Sequence, residues 1–135
     1  MSIQYMLDTN VLSSLIREPH GLVAGRVRGV GERYLCCSIV VAGEIQFGVE
    51  NLGSSQLRKK VEDLLAVIDV LPLSSPAERN YAELRSHLKR LGTPIGANDL
   101  WIAAHALSTG LTLVTANIGE FQRVPGLSVE NWEDE

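Results

Sequence analysis

The sequence predicts one α/β domain over residues 1–135, a parallel β-sheet flanked by helices on both faces in an α/β/α arrangement. Three observations predict it. Short apolar runs alternate with amphipathic stretches along the whole chain. The runs are near-continuously apolar, as strands covered on both faces must be. No Asn-Gly or similar two-residue turn joins one run to the next as a hairpin would. Neither a repeat, a low-complexity tract nor a linker interrupts the pattern.

In order, Gln4–Leu7 reads as a buried strand that ends at Asp8. Thr9 or Asn10 then caps a helix with Val11, Leu12, Leu15 and Ile16 on one face, closed by Pro19 and Gly21. A second helix covers Leu22–Val30, and Tyr34–Val40, rich in β-branched and apolar residues, is the second strand. Ala42–Leu52 is helical with Glu44 in its first turns. Ser54 or Ser55 caps the next helix, in which Leu57, Val61, Leu64 and Leu65 share a face. Val67–Leu73 is the third strand. Ser75-Pro76-Ala77-Glu78 reads as a capping box with proline at the first helical position. Tyr81, Leu84, Leu88 and Leu91 form the apolar stripe of that helix, and Gly92 stops it. The loop Thr93–Ala97 leads to Asn98 and Asp99 at the head of a helix that ends at Gly110. Leu111–Thr115 is the fourth strand, and the remainder is irregular apart from a short edge strand near Leu127–Glu130.

Composition narrows the class. Hydrophobic residues at 45% and charged residues at 21% suit a folded globular chain. No apolar run has the length of a membrane span, and Met1–Gln4 lacks the basic start of a signal peptide, so a cytoplasmic protein is expected. Cys36 and Cys37 are adjacent within a strand, where successive side chains point to opposite faces, which leaves no ordinary disulfide. The net charge of −4 has a local source, because Glu130, Glu133, Asp134 and Glu135 form an acidic tail at 130–135. Without those four, acids and bases stand at 12 each, so net charge does not exclude a nucleic-acid partner.

In a doubly wound sheet the functional crevice lies beyond the carboxyl ends of the strands. Asp8 follows the first strand, Glu44 lies early in the helix after the second, Asp99 heads a later helix, and Asn117 and Glu120 follow the last strand. Singly, each has a plainer role as a cap or a solvated helix residue. Together they place several carboxylates at one edge, and like charges repel unless a cation neutralises them. Oxygen donors alone suit Mg²⁺ or Mn²⁺ rather than zinc, and His20, His87 and His105, scattered over a turn and two helices, add no zinc set. Metal-assisted phosphodiester hydrolysis is the chemistry such a set performs.

The ordered motifs extend this reading. They are Tyr5-Met6-Leu7-Asp8-Thr9-Asn10, Glu44-Ile45-Gln46-Phe47-Gly48, Gly92-Thr93-Pro94-Ile95-Gly96-Ala97-Asn98-Asp99 with Leu100 to Leu107, Leu113-Val114-Thr115-Ala116-Asn117, and Phe121 to Leu127. Taken in that order they resemble the PIN-domain superfamily and, within it, the VapC toxins of bacterial toxin–antitoxin pairs. The resemblance implies a magnesium-dependent endoribonuclease in which Asp8, Glu44 and Asp99 hold the metal, with Mn²⁺ able to substitute. Thr9, Asn10 and Thr115 then resemble the polar groups that orient those carboxylates. Asn117 stands where many members carry a fourth acid, and Glu120 is the alternative, with Phe121 beside it to anchor the loop. The stretch from Gly92 to Trp132 most resembles members that cut initiator tRNA in its anticodon loop. The resemblance also implies a homodimer and a VapB-like antitoxin partner. For RNA phosphates, Arg85 and Lys89 are the best-placed cations, on one face of the helix leading to the Asp99 loop, beside Arg58-Lys59-Lys60, Arg90 and Arg123.

Three rivals share parts of the pattern. A phospho-receiver domain needs paired acids after the first strand and a late lysine, whereas Leu7 precedes Asp8 and the last lysine is Lys89. A haloacid-dehalogenase-type phosphatase needs Asp-x-Asp, but position 10 is Asn10, which cannot act as a general acid. The third is a catalytically inactive interaction module on the same fold, for which Asn117 is the only hint. A PIN nuclease acting on another RNA remains the neighbouring alternative.

Overall fold

The computed structural model describes residues 2–133. Five strands form one sheet in the order β3-β2-β1-β4-β5, every neighbouring pair parallel. They are β1 (Tyr5–Leu7), β2 (Leu35–Ser38), β3 (Asp69–Leu71), β4 (Thr112–Val114) and β5 (Val129–Glu130). Among the described residues seven α-helices connect or follow them: α1 (Thr9–Arg17), α2 (Leu22–Val30), α3 (Ile39–Leu52), α4 (Ser55–Val67), α5 (Ala77–Arg90), α6 (Ala97–Thr109) and α7 (Ile118–Phe121). Successive strand residues face opposite sides, yet Met6 and Leu7, Cys36 and Cys37, and Leu113 and Val114 are all fully buried. Both faces of the sheet are therefore covered.

The chain winds outward one way through β1, β2 and β3, then returns to the other side of β1 for β4 and β5. The strand order reverses between β1 and β4, paired with Met6 opposite Leu113 and Leu7 opposite Val114. That is the switch point where such sheets open a crevice at their carboxyl edge.

Local chemistry sets the boundaries, and several differ from those the sequence predicts. Asp8, rather than Thr9 or Asn10, caps α1, its side chain accepting from the Thr9 amide. The second strand stops at Ser38, because that hydroxyl accepts the Val40 N–H and starts α3 three residues earlier than expected. Pro76 occupies the cap position of α5 after a cis peptide, and the Ser75 hydroxyl bonds the Glu78 carboxylate instead of a backbone amide. The expected capping box is therefore absent. Leu91 leaves the apolar stripe of α5 and is exposed, while Leu84 and Leu88 are buried. Helix α7 has no counterpart in the sequence reading. Gly53 and Gly110 end α3 and α6 in the left-handed region, at φ 67° and 69°, which glycine reaches without a Cβ clash.

The end of the chain is tied to the core. Trp132 is fully buried, meets Tyr5 edge-on at 5.1 Å, and donates from Nε1 to Glu130. Glu130 belongs to β5 and also pairs with Arg26 at 3.7 Å. Of the acidic stretch 130–135, Asp134 and Glu135 lie outside the described residues. Among the described residues no helix is long and apolar enough to cross a membrane.

Candidate active site

Asp8 sits immediately past β1, and Thr115 immediately past β4, so strand pairing alone brings them together. Asp8 is only 4% exposed, and neutral donors hold both its oxygens. Oδ1 accepts the Thr9 amide at 2.8 Å, and Oδ2 accepts Thr115 Oγ1 at 2.8 Å and Asn10 Nδ2 at 3.2 Å. Asn10 completes the brace by accepting the Ala116 amide at 3.1 Å. Burial pushes the Asp8 carboxyl above its usual range and the charge of Glu44 adds to this, while the bonds from Thr115, Thr9 and Asn10 act the other way.

Glu44 comes from the second turn of α3. Its Oε1 accepts Thr9 Oγ1 at 2.5 Å and its Oε2 accepts Asn98 Nδ2 at 3.2 Å. Asp99 lies in the first turn of α6, where the helix N-terminus favours negative charge. Even so its carboxyl is pushed up to about 7, first by burial, then by a hydrogen bond with Glu120 and the charges of Glu120, Asp8 and Glu44. A bond between two carboxyl groups requires one of them to carry a proton.

Glu120 reaches this group from α7. Its Oε1 accepts the Gly96 amide at 3.1 Å and its Oε2 accepts Asn117 Nδ2. Asn117 turns to Glu120, and its amide bonds Thr115 Oγ1 at 3.0 Å. Phe121, fully buried, pins the short helix to the core. Asp8, Glu44, Asp99 and Glu120 thus gather at one edge with Thr9, Asn10, Thr115 and Asn117 between them. Asn98, which the sequence places at the head of the helix without a role in the site, joins α6 to Glu44.

Arg85 and Lys89 stand apart from the carboxylates. They line a cavity of about 330 Å³ with Tyr81, Leu88, Pro94 and Leu100, and Arg85 donates to the Tyr81 hydroxyl at 3.0 Å. His105 is a core residue. It is 1% exposed, bonded to Ser38 Oγ at 2.8 Å, and burial lowers its pKa below the ordinary 6.5.

Among the described residues, no three His, Cys, Asp or Glu side chains are drawn tightly enough to enclose a metal as they stand. The donor set nonetheless fits one kind of cation. It offers carboxylate and amide oxygens with an excess of negative charge, and Mg²⁺ keeps much of its water, so it needs few direct ligands. Soft ligands are missing from the pocket: burial pushes the Cys36 and Cys37 thiols up to about 12 and about 11, inside the sheet.

Comparison with known proteins agrees with this fold. Residues 5–127 match the family model of the PIN domain. Over 131 residues the chain is 35% identical to ribonuclease VapC2 of Rickettsia felis, covering 96% of this chain and 98% of that one. It is 33% identical over 131 residues, with the same coverage, to the tRNA(fMet)-specific endonuclease VapC of Salmonella typhimurium. Its fold matches the crystal structure of VapBC2 from Rickettsia felis bound to a promoter DNA fragment with a TM-score of 0.88, at 34% identity over 98% of this chain and 99% of that one. The chain belongs to the PIN-domain family and, within it, to the VapC ribonucleases.

Proposed function

We propose that the protein is the toxin of a type II toxin–antitoxin pair, an endoribonuclease that hydrolyses RNA phosphodiester bonds with Mg²⁺, or Mn²⁺ in its place. The observation that supports it most is the pocket at the switch point, where four carboxylates from four elements face one another with neutral donors between them. In this reading Asp8, Glu44 and Asp99 hold the cation directly or through water, and Glu120 adds charge from α7. When bound, the cation neutralises charge building on the phosphate and lowers the pKa of a water. The chain's own residues fix the geometry for that chemistry. Thr9, Asn10 and Thr115 hold Asp8, while Thr9 and Asn98 hold Glu44 in one rotamer.

The substrate we propose is initiator tRNA, cut in its anticodon loop, supported by the likeness to the Salmonella relative and by the motif from Gly92 to Trp132. Arg85 and Lys89, beside the loop that leads into α6, are placed to contact the RNA backbone. The test is incubation of purified protein with initiator tRNA, an elongator tRNA and an unstructured RNA, with Mg²⁺, Mn²⁺ or a chelator. Cleavage of initiator tRNA alone is expected. Cutting of the other RNAs keeps the nuclease and changes its substrate. No cleavage under any of these conditions leaves the inactive interaction module.

A VapB-like antitoxin is the proposed regulator. An apolar groove of about 450 Å³ between α1, α3 and α4 ends at Thr9 and Glu44, and Phe47 and Leu52 nearby are 70% and 72% exposed. An amphipathic segment lying there would bring a basic side chain to the carboxylates. Co-purification with the partner encoded upstream, followed by light scattering, is expected to give a toxin homodimer within the complex. A free monomer that stays fully active beside that partner would defeat both points.

A further inference from the structure

The ribonuclease reading gives His105 no task, yet this buried ring joins the two helices that carry Glu44 and Asp99. Its Nδ1 lies 2.8 Å from Ser38 Oγ. Ser38 Oγ already accepts the Val40 amide, so its own hydroxyl proton is what remains to be placed, and Nδ1 is the acceptor it faces. Nε2 then carries the proton of the neutral ring. A neutral ring protonated at Nε2 leaves Nδ1 as an acceptor, so the Ser38 hydroxyl donates to it. The serine oxygen keeps its lone pairs for the Val40 amide, 3.1 Å away, in the first turn of α3. No buried side-chain nitrogen or oxygen among the described residues lacks a partner, which agrees with every group in this chain being used.

The wiring crosses three elements. Ser38 ends β2 and caps α3, and His105 lies in α6. Glu44 is within two turns of the cap, and Asp99 is within two turns of His105 on its own helix. A second link joins the same helices at the mouth of the pocket, from Asn98 Nδ2 to Glu44 Oε2 at 3.2 Å. The two helices also pack on each other, and the two links, one deep and one shallow, add fixed points to that packing.

We propose that His105 is a positioning residue which, through Ser38, sets the spacing between Glu44 and Asp99 across the pocket. This rests on the ribonuclease reading for its activity test, and on the ring's own protonation for a test that does not. Asparagine at 105 places a carbonyl oxygen where Nδ1 lies and keeps an acceptor for Ser38. Glutamine instead places its amide near Nε2 and leaves Ser38 without that acceptor. His105→Asn, His105→Gln, Ser38→Ala and the double variant Ser38→Ala/His105→Gln are compared for thermal midpoint and for kcat and KM on RNA, well below every midpoint. Small displacements of reacting groups cost one to two orders of magnitude, so Ser38→Ala and His105→Gln are each expected to lower kcat about tenfold with KM unchanged. His105→Asn is expected to stay within about threefold of the parent, and the double variant to be no worse than either single one. If Asn is no better than Gln, or if kcat follows thermal midpoint across the set, the proposal is overturned. Wild-type protein that cuts no RNA would count against the ribonuclease reading instead. In that event ¹⁵N spectra of the imidazole still decide the wiring: the Nε2–H tautomer supports it, and an Nδ1–H tautomer overturns it.

Discussion

Asp99 and His105 share helix α6 and respond to protons in opposite senses near neutrality. The folded Asp99 carboxyl, raised from 3.8 to about 7, binds a proton that the unfolded chain releases, so its contribution to stability is present at low pH and is lost as pH rises towards 7. His105 has its folded pKa lowered below 6.5, so only the unfolded chain takes up a proton there, and stability is lost as pH falls below 6.5. Below pH 6.5 the two partly cancel. Asp99→Asn removes one side of the balance. Without metal it is expected to raise the thermal midpoint at pH 8 by a few degrees and to steepen the acid loss below pH 6.5, read by denaturant titration at several pH values. A variant curve parallel to that of the parent would show that Asp99 ionises normally. The same variant and Asp8→Asn are expected to lower RNA cleavage by at least about a hundredfold, since the amide keeps the shape and removes the charge. Activity near that of the parent at saturating Mn²⁺ would remove these residues from the mechanism.

Short elements show what a sequence can and cannot announce. Helix α2 was legible to the residue because glycine bounds it on both sides, and α6 because Gly110 closes it. Helix α7 was not, since four residues complete barely one turn and show no period. Ile39 and Val40 were read as strand from their β-branching, but the Ser38 cap outweighs that preference and commits them to α3. The acids Asp8, Glu44, Asp99 and Glu120 were legible as a group because each follows a strand or opens a helix. The pairings of Asn98 and His105 were invisible for a different reason: their partners, Glu44 and Ser38, are 54 and 67 positions away, and such pairings leave no periodic trace. Element α7 also carries a prediction. Glu120 bonds Gly96 and Asn117 as well as lying against Asp99, so Glu120→Gln is expected to raise the Mg²⁺ concentration for half-maximal cleavage severalfold, and Asn117→Ala to move it less. An unchanged metal dependence in Glu120→Gln would mean that three carboxylates suffice.

Across the whole molecule, stability and chemistry occupy opposite ends of the sheet. Trp132 packs on Tyr5 at the start of β1, with the Arg26 guanidinium 5.3 Å from its ring, while Asp8 lies past the other end of that strand. Trp132→Ala is therefore expected to cost about 3–5 kcal/mol in a urea titration while cleavage per folded molecule, measured in the cold, is unchanged. A loss below about 1 kcal/mol would show that the aromatic contact carries little of the fold. The strand order has a consequence of another kind. The hydrogen bond from Thr115 to Asp8 spans 107 positions, and the strands that bring the two together are neighbours only once the chain has doubled back past β3. Closing so long a loop comes late in folding, so local structure, and even the first three strands, can form without the pocket. A chain that is half made lacks Asp99, Thr115 and Glu120, so the cell that makes it holds no cutting edge until the last third of the protein has been added.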